Sequence, residues 1–172
     1  MKLITLFILL LLTANLSLAQ GTYTDENTGL TIDYPAEWEY EVLGSSTGLV
    51  NDGDRIIIKS EIDTDPMSPE EFVNIAKNNK QLITLMLAGD YGEDYVLTDY
   101  GLTTFGGINS YYFTADIKDD FGTDKTYYLR AKFINTHYKN YAVNLIIMTL
   151  DTKFDQFLPK AEEVLNTAYF PE

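Results

Sequence analysis

Alternation of apolar and polar positions, and its replacement by three- and four-residue spacing, divides the chain into elements. Thr31, Ile32, Asp33 and Tyr34 alternate as a strand does. Pro35 ends that ladder because it has no N–H to give, and Tyr40 and Val42 resume alternation after a short turn that carries Trp38. Upstream, Gly21 to Asn27 holds Tyr23 in an extended piece and Asn27-Thr28-Gly29 is turn chemistry, so a first hairpin is expected. Glu39 to Leu43 leads into a loose Gly44-Ser45-Ser46-Thr47-Gly48, after which Leu49-Val50 and Arg55 to Ile62 flank the hairpin signal Asn51-Asp52-Gly53-Asp54. Ile56, Ile58 and Ser60 point one way and Ile57, Lys59 and Glu61 the other, which predicts a strand covered at least partly on both faces.

Ser68-Pro69-Glu70-Glu71 reads as a helix start: an N-cap serine, proline at the first helical position and a glutamate that closes a capping box. The helix is expected to run to about Leu87, with Phe72, Ile75, Ala76, Leu82, Ile83 and Met86 on its apolar stripe and Asn79 as a locally satisfied amide within it. Tyr95 to Phe105, Ile108 to Lys118, Thr126 to Asn135 and Tyr141 to Leu150 follow as four strands on short connections, hence an antiparallel meander. On the third of these, Tyr127, Leu129, Ala131 and Phe133 form one face and Thr126, Tyr128, Arg130 and Lys132 a polar one. A closing stripe of Phe154, Phe157, Leu158, Ala161, Val164, Leu165 and Ala168 is interrupted by Pro159, and the expectation is a short turn over Thr152 to Phe157 and then a helix starting at Pro159. Together these elements predict an α+β domain, an antiparallel sheet of six to seven strands flanked by two main helices.

Composition adds the compartment. Leu3 to Leu12 is almost wholly apolar behind Lys2, and Ser17 and Ala19 fit the small-residue positions of a cleavage site, so residues 1–19 read as a secretory signal peptide and 20–172 as a single mature domain. The apolar run is shorter than the roughly 20 residues of a membrane span, no cysteine stands at the cleavage point, and no stable membrane anchor is expected after cleavage. The leader takes one of the 12 basic residues and none of the 26 acidic ones, leaving a net charge of −15. Nucleic acid is thereby disfavoured as a partner, since binding it needs basic surface to neutralise phosphates. With no cysteine the exported chain has no disulfide, and its core alone must hold it.

Candidate chemistry is sparse. His137 is the only histidine, expected in an exposed turn at Thr136 to Asn140, and no G-x-S-x-G surrounds any serine, so no catalytic residue is assigned and no cofactor is expected. Asp119, Asp120 and Asp124, with Asp116 nearby, crowd a turn containing Gly122, the weak calcium candidate of the chain; their spacing misses the EF-hand pattern. With 26 acidic residues, a carboxylate pair at hydrolase spacing arises by chance, so that criterion decides nothing. A possible ligand surface is Tyr112, Tyr128, Arg130 and Lys132, aromatic and basic groups in a chain short of positive charge; the competing reading is core packing with Asp116 paired to Arg130 across strands.

The opening Tyr23-x-Asp25-x-x-x-Gly29-Leu30-x-Ile32-x-Tyr34-Pro35-x-x-Trp38, the Ser-Pro-Glu-Glu helix, the tyrosine-rich meander and the final helix together resemble the PsbP-like superfamily over residues 21–170. That group includes photosystem II extrinsic proteins, a Ran-binding nuclear import factor and DcrB-like bacterial envelope proteins. The resemblance implies an α/β/α sandwich used as a non-enzymatic binding or assembly module. Photosynthetic members place functional residues on an N-terminal extension and on basic and metal-contacting positions; the short stretch from Gln20 to Tyr23 and the acidic balance depart from that pattern. The expectation is therefore an exported protein of the bacterial periplasm or cell exterior that acts through contacts with a protein partner. A small-ligand or calcium-binding protein is the alternative, and a carboxylate-based hydrolase ranks below it.

Overall fold

The computed structural model describes residues 19–84, 95–119 and 123–172. Within them, β1 (Ala19–Thr24) and β2 (Thr31–Pro35) form a separate antiparallel pair. The remaining strands are β3 (Glu39–Leu43), β4 (Ser46–Asn51), β5 (Asp54–Ile62), β6 (Tyr95–Phe105), β7 (Ile108–Asp119), β8 (Tyr127–Tyr138) and β9 (Tyr141–Leu150). They make one antiparallel sheet in the order β3-β4-β5-β9-β8-β7-β6. Helix α1 (Pro69–Asn78) crosses one face of this sheet; α2 (Phe154–Leu165), entered through a 3₁₀ turn at Asp151–Lys153, lies on the other beside the β1–β2 pair. The architecture is the expected α+β sandwich. Residues 1–18, nearly all of the stretch expected as a signal peptide, lie outside the described residues.

The core is two clusters divided by the sheet. On the α2 face, Leu49, Ile56, Ile58, Val143, Leu145 and Ile147 meet Phe157, Ala161 and Val164 of the helix and Leu30 and Ile32 of the hairpin. Trp38 is 4% exposed and packs on Phe157 with ring centroids 5.7 Å apart. Beyond α2 the chain bonds to β2, Thr31 and Tyr169 exchanging backbone hydrogen bonds of 2.9 and 3.0 Å. Phe170 then packs on Phe105, Tyr138 and the open face of Gly106. Gly106 has φ +55°, and a Cβ there would meet Phe170 at 2.7 Å, so both conformation and space require glycine.

The spacing Tyr23-x-Asp25-x-x-x-Gly29 acquires a physical reason. The buried Asp25 carboxylate accepts from the Thr28 N–H (2.9 Å) and hydroxyl (2.5 Å), from the Tyr23 hydroxyl (3.3 Å) and from the Ser60 hydroxyl (2.7 Å). It thus closes the β1–β2 turn and ties it to β5. Burial and the Asp25 charge hold the Tyr23 hydroxyl protonated far above its ordinary range.

Four expectations are corrected. The first helix does not run unbroken to Leu87: it ends at Asn78, and Asn79 leaves helical geometry at φ −149°, ψ 71°. Its side chain accepts from Leu82 N–H (3.1 Å), so it caps a new helical run over 80–84 rather than sitting inside one helix, the role for which asparagine competes best. The break turns Leu82 out to 41% exposure while Ile83 is buried; Leu85 to Leu87 lie outside the described residues. Second, β4 begins at Ser46, inside the stretch read as loose, because Gly44 at φ +64° lets the chain reverse in a tight turn. Third, β8 extends through Tyr138 and the reversal is Lys139-Asn140, with Lys139 at φ 56°, so His137 is a half-buried strand residue and not a turn residue. Fourth, α2 is continuous from Phe154 with Pro159 inside it. Proline inside the helix removes one intrahelical bond, and the core contacts of Phe154 and Phe157 before it and Ala161, Val164 and Leu165 after it outweigh the loss.

Candidate functional site

The α1 face is covered unevenly. Phe72 and Ala76 of α1, with Ile83, pack over β6, β7 and β8 against Phe113, Phe133, Ala115 and Leu97, while among the described residues no helix covers the same face of β5 and β9. The result is a groove of about 650 Å³.

Register builds its floor. Lys59 on β5 pairs with Asn144 on β9, Asn144 with Asn135 on β8, and Asn135 with Tyr111 on β7, so four polar side chains stand in one row across four strands. Two residues along each strand, Ile57, Ile146, Phe133 and Phe113 form a parallel apolar row. On the other side of the polar row Glu61 and its cross-strand neighbour Ala142 form the rim, with His137 next to Ala142 on β8 beyond it. Phe113 and Phe133 pack under the helix and Tyr111 stacks under Phe72, while Lys59, Asn144 and Asn135, with the half-buried Ile57 and Ile146, line the opening.

Several of these groups already have partners. Lys59 Nζ is 2.7 Å from Glu61 Oε2, and Asn144 Nδ2 donates to Glu61 Oε1 at 3.4 Å. Tyr111 stacks on Phe72, centroids 4.0 Å apart and planes within 16°. Burial, with the Asp63 charge adding to it, pushes its hydroxyl up to about 12. His137 Nε2 donates to the Asp63 carbonyl oxygen (3.1 Å) and the Asp63 N–H to the Asn140 carbonyl (2.9 Å), which pins the segment after β5 against the β8–β9 turn at the end of the groove. The histidine therefore serves as a tether within a wall of the groove.

The four residues expected as a ligand surface sit on the opposite face, along α2. Lys132 reaches Glu162 Oε1 at 2.7 Å and lies over the Tyr112 ring at 5.0 Å. Arg130 reaches its cross-strand neighbour Asp116 at 2.6 Å and lies 5.9 Å from the centroid of Phe154. Tyr112 donates to Asp99 (3.0 Å), and Tyr128 stands apart, 59% exposed. The structure thus joins Tyr112 and Lys132, and separately Arg130, to the helix by ion pairs and ring contacts. Of the calcium candidates, Asp120 lies outside the described residues, Asp119 closes the β7–β8 ladder opposite Tyr127, and Asp124 is exposed in the turn. Among the described residues no three histidine or carboxylate groups gather as a metal site.

Sequence reasoning assigned no role to Asn135, Asn144, Lys59 and Tyr111. Each occupies a mid-strand position on a face whose neighbours two residues away are apolar, as in Phe133-x-Asn135 and Asn144-x-Ile146. That anomaly is visible in the sequence; the alignment of the four into one row is not, because it depends on register between strands up to 85 positions apart.

No protein-family model matches the sequence, and no curated protein matches it. Solved structures do. The cyanobacterial PsbP (CyanoP) of Synechocystis sp. PCC 6803 superposes with a TM-score of 0.62 at 12% identity, covering 91% of this chain and 96% of its own. LpqN of Mycobacterium tuberculosis, described as involved in cell envelope biogenesis, gives 0.55 at 12% identity, with 88% and 90% covered. The Ran-binding protein Mog1p of Saccharomyces cerevisiae gives 0.50 at 9% identity, with 87% and 94% covered. The chain has the PsbP-like fold, and at these identities the likeness is one of fold. No helix among the described residues is long and apolar enough to cross a membrane.

Proposed function

We propose that the protein is an exported, non-catalytic binding or assembly module of the bacterial periplasm or cell exterior, working through protein contacts made in the groove beside α1. The observation that carries this reading is the half-open α1 face, a concave strip with polar and apolar rows held on a rigid sheet, the arrangement in which binding sites are commonly found. Its fold neighbours support it, one described as Ran-binding and another as involved in envelope biogenesis. So does the leader, which directs the chain out of the cytoplasm.

The test is affinity capture from the envelope fraction with the tagged protein and with Asn144→Trp, which fills the groove. Partners enriched by the native protein and lost at least tenfold by the filled one support the reading; capture indifferent to the substitution removes the groove as the working surface. N-terminal sequencing of the exported protein should begin at Gln20, and retention of residues 1–19 would overturn the cleavage.

A further inference from the structure

Resting on the binding-module reading, we infer that the groove takes an extended polypeptide segment that carries an apolar side chain next to a basic one, laid across β8, β9 and β5. Three features of the groove select this ligand.

The first is the amide row. Asn135 and Asn144 are direct cross-strand neighbours, and each side chain offers the N–H donors and carbonyl acceptor that a peptide unit itself presents. The Asn135 amide has no side-chain hydrogen-bond partner among the described residues, and Asn144 commits only one N–H, to Glu61. From β5 to β8 the open row spans about 10 Å at a strand spacing of about 4.8 Å, the length of about three extended residues. The second is the aliphatic strip. Ile57 and Ile146 are only half-buried beside Phe72, a seat for an apolar side chain. The third is charge. Lys59 is neutralised by Glu61 at 2.7 Å, which leaves Asp63 as the surplus charge of the groove, in a chain of net charge −14 with its leader. A basic side chain complements it.

A glycan is the other occupant that such amides could take, but sugar rings stack on open aromatic faces. Here Phe72, Phe113 and Phe133 are at most 4% exposed, and the Tyr111 ring is already covered by Phe72.

The experiment uses the processed, ¹⁵N-labelled protein at 150 mM salt, which screens non-specific attraction between exposed charges. The probes are a capped octapeptide of alternating leucine and lysine, its leucine–glutamate counterpart, and chitotetraose. The leucine–lysine peptide should bind and shift the side-chain amide resonances of Asn135 and Asn144. Asn144→Leu and Asp63→Asn should each weaken it tenfold or more at unchanged thermal stability; two variants in different segments guard against loss of fold in either. Equal binding of the leucine–glutamate peptide, insensitivity to both substitutions, or shifts of those amides by chitotetraose and not by peptide would overturn the inference. If no peptide binds while Asn144→Trp still abolishes capture of an envelope partner, the peptide assignment fails and the binding-module reading stands.

Discussion

The two faces of the seven-stranded sheet are finished in different ways. On the α2 face a helix, a two-stranded sheet and the C-terminal segment together cover the strands, and the side chains beneath, from Leu49 to Ile147, are closed to solvent. Polar groups on that side are absorbed by specific partners, as Asp25 is by Thr28 and Ser60 and Lys132 by Glu162. On the α1 face one ten-residue helix and a capped turn cover half the width, and polar side chains on β5, β8 and β9 meet a groove. The difference is one of coverage: both faces carry a buried cluster, but among the described residues only the α1 face leaves part of its strands lining a groove. Substitutions should then separate by burial: costly in the closed cluster under α2, nearly silent for folding at the open polar positions Lys59, Asn144 and Asn135 of the groove.

The largest expected effect is Trp38→Ala. Truncating a buried aromatic packed on Phe157 should cost about 3 to 5 kcal/mol in urea unfolding, and a loss under about 1 kcal/mol would place the residue outside the closed core. Asp25→Ala comes next at about 2 to 3 kcal/mol, since it strands the Thr28 and Ser60 donors in a buried site; recovery of native stability in this variant would show the hub to be incidental.

The groove face enters with Tyr111. Its hydroxyl stands at about 12 in the fold against about 10 unfolded, so the neutral form is favoured by folding. Its contribution is complete below pH 10 and is lost as pH rises from 10 to about 12, by up to about 2 kcal/mol. Tyr23, raised in the same direction, falls with it, so the measurement is the difference between native protein and Tyr111→Phe, which should show a shallower alkaline decline. Identical profiles would mean that Tyr111 is open to water. Asn79→Ala should cost about 1 kcal/mol through the lost cap, with hydrogen exchange rising over 80–84 and not over α1. Smallest of all, Asn144→Leu should change stability by no more than about 0.5 kcal/mol; a loss above about 2 kcal/mol would make the polar row part of the core and dissolve the contrast between the faces.

Much of the sandwich could be read in advance, and the reasons are local. The Asp52-Gly53 turn adopts positive φ at both residues, 50° and 83°, as its composition demands. Ser68 accepts from Glu71 N–H at 3.2 Å as a capping serine should. Alternation put Ile56 and Ile58 on one face of β5 and Lys59 on the other, both at least partly covered, and the structure buries the first two and half-buries Lys59. At Pro159 and at the end of β8 a long-range contact prevailed over a local signal, whereas at Gly44 and Asn79 the departure is itself local. Pro159 argued for a helix start, and the core contacts on both sides of it carried the helix through. The stretch Thr136 to Asn140 looked like a turn, and the ladder of β8 with β9, anchored by Asp63 on His137, extended the strand over half of it. Asn79 looked like one more helical position until its side chain had a backbone N–H to cap.

The candidate site was the least legible part. Amino-acid order alone determined the acidic balance, the absence of disulfides, the two hairpins, the meander, the capped helix and the packing role of Trp38. All of these follow from periodicity, turn chemistry and composition, which act over a few residues. Only the tertiary structure decided that α1 stops short of β5, that Lys59, Asn144, Asn135 and Tyr111 fall into one row, and that Tyr112, Arg130 and Lys132 are bound to α2 and its strands. Those outcomes depend on register and coverage, set by the summed burial of the whole sheet, which no stretch of sequence carries by itself.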